Sequence, residues 1–335
     1  MSRPFILARR ALVAGLAAAP SLVRAQPARR AHRGFNLVAT ARAPLGSAAA
    51  AESFARMAAL GADSVAIVCF LWQASPQAGT IVRGNDMGDA ELAAGIRQAR
   101  AARLSVMVKP HVWVPESWAG AVEPRADAWR GWFDGFQAAL LPLARLSQAE
   151  GAQAFCLGTE LRRTSRRVEW WEVIARIRAV YRGTLLYTAH NAEEAGLVPF
   201  WPALDAVGVS LYPALGADDA PGAWQAAMAA EAARIDRIAA AVGRPAWVTE
   251  IGLRSARGAA AKPWESAEER DATPDGALQA AVLSRWLAVL DRPSVAGVLV
   301  WRWFSDPAAG GPADTDFTVQ GKPAEALLRA RWAGR

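Results

Sequence analysis

The chain has 335 residues, 53% of them hydrophobic, with a formal net charge of +7, 15 tryptophans against three tyrosines, and two cysteines. That length suits one (β/α)8 barrel, and the apolar content supplies a large core. The positive charge is scattered arginine, with Lys109, Lys262 and Lys322 the only lysines, so the clustered basic stripe that nucleic-acid binding needs is missing.

Residues 1–25 read as an export signal. Arg9 and Arg10 precede a modest apolar stretch, ALVAGLAAAPSLV, and Val23-Arg24-Ala25 offers a small-residue cleavage site before Gln26. The arginine pair suggests the twin-arginine route, although Ala8 stands where a polar residue is usual. Removing the segment takes away Arg3, Arg9, Arg10 and Arg24 and no acid, so the charge falls from +7 to +3. An exported, periplasmic or extracellular protein is expected. No 18-residue apolar run follows, so no membrane span is expected in the mature chain.

From residue 26 onward eight short strand-like runs alternate with amphipathic stretches. The runs are GFNLVAT (34–40), DSVAIVCFLW (63–72), LSVMVKPHVWV (104–114), AFCLGTEL (154–161), TLLYTAHN (184–191), AVGVSLYP (206–213), PAWVTEIG (245–252) and GVLVWRWF (297–304). They are rich in β-branched and aromatic residues and too short for helices. Most are continuously apolar, as parallel strands buried on both faces should be. Helical patterns cover 49–60, 89–103, 125–149, 167–182, 221–242, 276–291 and about 322–333. Eight alternations favour a closed barrel over an open sheet, so 26–335 is read as one (β/α)8 domain and as a monomer. Cys69 and Cys156 fall in the second and fourth runs, which are not sheet neighbours, and are expected as two buried thiols.

The loops after the runs are long, notably 73–88, 113–125, 213–221, 252–275 and 304–321. Gly61-Ala62 and Gly243-Arg244-Pro245 make short return turns at the other end. Function on a β/α barrel sits at the C-terminal ends of the strands. Glu160 and Glu250 end the fourth and seventh runs, nearly opposite each other in a ring of eight. Two facing carboxylates are the equipment for glycosidic-bond cleavage, one attacking the anomeric carbon and the other protonating the departing oxygen. Tyr212, ending the sixth run, can donate a hydrogen bond to the seventh-run carboxylate. His111 and His190 end the third and fifth runs and Asn191 follows directly; these can bind sugar hydroxyls or flank the acid/base. Trp72, Trp113 and Trp301 end runs at the same face, where flat rings can stack on the apolar face of a sugar. Trp303 points the other way by strand alternation and is expected in packing. His32 carries no signal.

The order and spacing of GFNLVAT, FCLGTEL, DAVGVSLYP, WVTEIG and VLVWRWF resemble glycoside hydrolase family 113, a barrel family of clan A known for β-mannanases. The resemblance spans residues 34 to about 305. It implies a retaining glycosidase with Glu160 as acid/base and Glu250 as nucleophile, and it makes Trp301 the floor of the reactive subsite. It also implies a mannan-like polysaccharide or oligosaccharide substrate and no cofactor or metal. The clan generally has asparagine before the acid/base, contacting the sugar 2-hydroxyl; here Thr159 occupies that place, with a shorter side chain and a single donor. Two other readings stand beside this one. His111, His190 and Glu250 can ligate zinc, although no HxH or HExxH spacing is present. Alternatively, a barrel with an altered acid/base neighbourhood can bind carbohydrate without cleaving it.

Overall fold

A computed structural model describes residues 32–333; the export segment read at 1–25 lies outside them. Among the described residues the strands, in chain order, are β1 (His32–Val38), β2 (Ser64–Trp72), β3 (Val82–Arg83), β4 (Ser105–Trp113), β5 (Ala154–Thr159), β6 (Thr184–His190), β7 (Ala206–Leu211), β8 (Ala246–Ile251) and β9 (Val295–Phe304). All but β3 pair in parallel, and β1 pairs with both β2 and β9, so the eight close into a ring. The helices are α1 (Ala48–Ala59), α2 (Asp89–Ala101), α3 (Trp129–Ala149), α4 (Trp170–Arg178), α5 (Asn191–Ala195), α6 (Pro221–Val242), α7 (Gly276–Val289) and α8 (Pro323–Trp332). The protein is a (β/α)8 barrel. None of its described helices is long and apolar enough to cross a membrane.

Local chemistry sets the element ends. Ser47 accepts from the Ala50 amide at 3.2 Å and Asp275 from the Leu278 amide at 2.9 Å, capping α1 and α7 at the N-terminal end, where orphan amides need an acceptor. Gly243 ends α6 at φ +68°, a left-handed conformation that favours glycine, and this makes the short return into β8 possible.

Strands β5, β7 and β8 are buried along their whole length. Side chains facing outward join the helices in one large core, which also takes in Cys69. Those facing the lumen form a smaller cluster of Ala66, Met107, Cys156, Leu186, Trp247 and Leu299. Towards the strand C-termini the lumen turns polar, with Asn36, Lys109, Thr159, Thr188, Ser210, Thr249 and Glu250 all buried. One strand shows the gradient: by alternation Met107, Lys109, His111 and Trp113 share the inner face of β4. Both cysteines are free and buried, as expected.

Three expectations need correction. The stretch 73–88, read as loop, contains β3, which pairs antiparallel with the end of β2. No helix was expected between the fifth and sixth runs, yet α5 lies there; five residues are too few to show an amphipathic period. His32, given no role, starts β1, where its Nδ1 lies 2.8 Å from Ser64 Oγ.

Candidate active site

Glu250 lies on β8 directly after Thr249, and both side chains enter the lumen. Strict alternation forbids that, but the β7–β8 register slips between Val209 and Ser210 and the β8–β9 register between Val248 and Ile251. Such bulges re-aim side chains. Thr249 Oγ1 sits 2.9 Å from Thr188 Oγ1 inside the barrel, and Glu250 projects above it. One Glu250 oxygen, Oε1, accepts from Lys109 Nζ, and the other accepts from the Tyr212 hydroxyl at 3.1 Å. Lys109 is fully buried, donates also to Asn36 Oδ1 at 2.9 Å, and lies 5.6 Å from the centre of the Trp301 ring. Asn36 in turn donates to the Thr249 carbonyl at 2.8 Å. Burial pushes the Glu250 carboxyl above its ordinary value; the Lys109 ammonium opposes the shift, Glu160 adds to it, and Tyr212 opposes it. The same burial, with Glu250 beside it, holds the Tyr212 phenol well above the usual range.

Glu160 follows the end of β5 with φ +56°, a backbone region rare outside glycine and concentrated at functional sites. Its amide donates to the Thr188 carbonyl at 2.7 Å, and its own carbonyl accepts from the Arg162 amide at 2.8 Å, fixing the turn. The carboxylate meets His190 Nδ1 at 3.2 Å. Burial works to raise Glu160, but the His190 contact outweighs it and holds the carboxyl below its ordinary value. Burial likewise works against the His190 charge, and Glu160 lifts the imidazole above its usual range.

Asn191, at φ +56°, fixes which His190 nitrogen carries the proton. Its Oδ1 accepts from the Tyr212 amide at 2.8 Å, so its Nδ2 must be the atom 3.2 Å from His190 Nε2. An amide nitrogen donates, so Nε2 accepts and Nδ1–H points to Glu160. Glu194 holds the backbone beneath: one oxygen accepts from the His190 amide at 2.6 Å and the other from the Tyr187 hydroxyl at 2.7 Å. Burial pushes its pKa up to about 6.

Around this pair stand the remaining candidates. The Trp301 ring lies near both Lys109 and His111, 6.3 Å from the imidazole. Burial pushes His111 down to about 4, so it is neutral at neutral pH, and its Nδ1 has no hydrogen-bond partner among the described residues. Trp72 and Trp113 form an exposed aromatic edge, 6.1 Å apart, with Phe70 set edge-on to Trp113. Trp303 is fully buried and donates to Ser53 Oγ at 2.8 Å, a packing role as expected. Thr159, expected to meet a sugar hydroxyl, is instead fully buried and donates to the Pro110 carbonyl at 3.1 Å. Among the described residues no three His, Cys, Asp or Glu side chains converge as a metal ion requires, so His111, His190 and Glu250 do not form a zinc site.

Sequence reasoning missed Lys109, Asn36 and Glu194. Lys109 did leave a signal: it is one of three lysines in an arginine-rich chain, and it interrupts an otherwise apolar strand run.

A family model described as Glycoside Hydrolase Family 113 matches residues 35–322. Among solved structures the chain is similar to the GH113 β-mannanase AaManA from Alicyclobacillus acidocaldarius in complex with ManMIm. The TM-score is 0.80 at 23% identity, covering 91% of this chain and 97% of that one. A GH113 β-1,4-mannanase complex gives 0.78 at 23% identity, over 91% of this chain and all of the other. The β-glucuronidase of Ruminococcus gnavus gives 0.61 at 14% identity, over 90% of this chain and 50% of that one. A comparison with curated proteins finds no match.

Proposed function

Because the chain belongs to glycoside hydrolase family 113, matched through residues 35–322, we propose that it cleaves a β-linked, mannan-like polysaccharide or oligosaccharide by double displacement, with Glu250 as nucleophile and Glu160 as acid/base. The protein is a glycoside hydrolase; the β-mannanase neighbours support the mannan-like substrate. One observation carries the assignment of roles: the two carboxylates have opposite kinds of partner. Glu250 is met by a buried ammonium and a phenol, Glu160 by an imidazole whose tautomer is fixed.

In the first step Glu250 attacks the anomeric carbon. The Lys109 ammonium supplies the counter-charge for an ionised carboxylate in a buried position, and Tyr212 aims its second oxygen. Glu160 protonates the leaving oxygen. An added proton on His190 would have to sit on Nε2, facing the Asn191 amide donor, and that arrangement is repulsive. The proton for the leaving oxygen is therefore carried on the free oxygen of Glu160, while His190 Nδ1–H holds the other. Because His190 holds that carboxyl below its ordinary value, the protonated acid is the less populated form of the free enzyme. Having given its proton to the leaving oxygen, Glu160 stays in the carboxylate form that the His190 contact favours and serves as base for the attacking water. Trp301 lies beside the Lys109 ammonium and the His111 imidazole, in position to stack beneath the reacting sugar.

Reducing-end release from a panel of β-linked polysaccharides tests the reading. β-Mannan is expected to be cleaved fastest; no release from any of them contradicts it. Export through residues 1–25 is part of the same proposal, supported by Arg9, Arg10 and the Ala25–Gln26 junction. Mass spectrometry of exported protein is expected to find Gln26 first, and an intact N-terminus there contradicts cleavage.

A further inference from the structure

We propose that the cleft beside Glu160 carries a subsite for an anionic sugar, a leaving-group residue bearing a carboxylate or another anionic substituent, stacked on Trp118 and held by Arg163 and Arg166. The proposal rests on Glu160 acting as the acid, which places its flank on the leaving-group side.

A cavity of about 470 Å³ opens there, lined among others by Trp118, Glu123, Arg162, Arg163, Arg166 and Leu197. That volume falls in the ~300–1,000 Å³ range of small-ligand sites. It adjoins the catalytic group through two links: the Trp118 ring stands edge-on to His190 with centroids 4.9 Å apart, and Arg162 follows Glu160 by two residues in a hydrogen-bonded turn.

The Trp118 ring is placed rather than loose. It lies against Gly120 so closely that a β-carbon there would come within 2.1 Å of its Cη2 atom. The ring is nonetheless 41% exposed, a flat apolar surface at the cavity wall.

The charge around it is unbalanced. Arg162 pairs with Glu193 at 2.7 Å and Arg163 with Glu123 at 2.6 Å, both pairs in open solvent. Arg166 has no hydrogen-bond or ion-pair partner among the described residues. Exposed ion pairs are worth little, so an arriving carboxylate can take Arg163 from Glu123 and add Arg166, which is already free. Two guanidinium forks beside a flat indole match an anionic pyranose: the ring stacks, and the acid group takes parallel N–H donors. A neutral sugar would need the ring and would leave the arginines unused.

Binding of thio-linked β-manno-oligosaccharides, which resist cleavage, tests the proposal on the intact protein by calorimetry. Three chains are compared: neutral, one carrying a uronate on the leaving-group side, and one carrying a sugar phosphate there. The uronate chain is expected to bind about tenfold tighter than the neutral one at low salt, with the ratio shrinking as salt rises. In Arg163→Ala/Arg166→Ala the ratio is expected to fall to about two, and Gly120→Ala is expected to weaken both chains by displacing the ring. A preference confined to the phosphate chain supports the subsite and names its anion. Equal binding of all three chains overturns it, as does a preference that survives the double arginine variant. Turnover of the ordinary neutral chain is read separately: its presence alongside equal binding removes the anionic subsite and leaves the glycosidase reading intact. Its absence counts against that reading, while the binding ratio still decides the subsite.

Discussion

Glu160 and Glu250 are the same side chain at the same end of the barrel, one following β5 and the other on β8, yet they live in different surroundings. Glu250 sits over two fixed donors, Lys109 and Tyr212, with Lys109 held in turn by the Asn36 side-chain oxygen and deep enough to have no exposed surface. Glu160 stands on a strained turn at the rim, against one imidazole whose own backbone is tied down by Glu194. A charge held still by a buried counter-charge suits attack on carbon, whereas a group that must gain and lose a proton needs a partner that does not clamp its charge permanently. Role follows from partner, and the partners come from different strands.

Removing Glu250 should have the largest effect. Glu250→Ala is expected to lower turnover of every substrate by about 10⁴-fold or more, good and poor leaving groups alike. Appreciable turnover of any substrate would break the comparison at its stronger end.

Lys109→Met tests the clamp. It keeps the length and removes the charge, and should lower kcat/KM by about 10²-fold. The pH profile carries the sharper signal. The nucleophile must be ionised, and burial lifts Glu250 while Lys109 opposes that lift; without the ammonium the acid limb of kcat/KM should move to higher pH. An unmoved limb would mean that Lys109 serves only packing.

Asn191→Asp sharpens the other side. An aspartate keeps the shape and accepts from His190 Nε2, so the imidazolium becomes favoured and Glu160 is held as carboxylate. Substrates with poor leaving groups should lose about tenfold in kcat and activated aryl glycosides much less. Equal losses for both would remove the tautomer argument.

The smallest expected change in turnover separates two tryptophans on one strand. Trp301→Ala should lower kcat/KM about tenfold with little change in melting temperature. Trp303→Ala should cost about 3–5 kcal/mol of stability in a denaturant melt, because that ring is fully buried. The reverse pattern would exchange their assignments.

The barrel was legible because a parallel strand buried on both faces writes itself as a continuous apolar run, and all eight runs became barrel strands. The two glutamates were legible because each breaks such a run at its functional end. Lys109 was passed over for the opposite reason: its meaning lies in Glu250, 141 residues away, and no local pattern encodes that contact. The inward turn of Glu250 beside Thr249 depends on register slips between strands, which appear only once the partners are paired. Thr159 was misplaced on the same ground, since the irregular β5–β6 pairing after Cys156 accompanies its burial against Pro110. Local sequence announces strands and their ends, while the second carboxylate's counter-charge is a property of the closed ring.

Azide rescue tests the division of roles most directly. In Glu160→Ala an activated aryl β-mannoside can still leave without protonation, so a glycosyl ester on Glu250 should form and then wait for a base. Added azide should restore turnover and give a β-mannosyl azide, with the configuration retained. Rescue in Glu250→Ala instead, giving the α-azide, would contradict the assignment of nucleophile and acid made here.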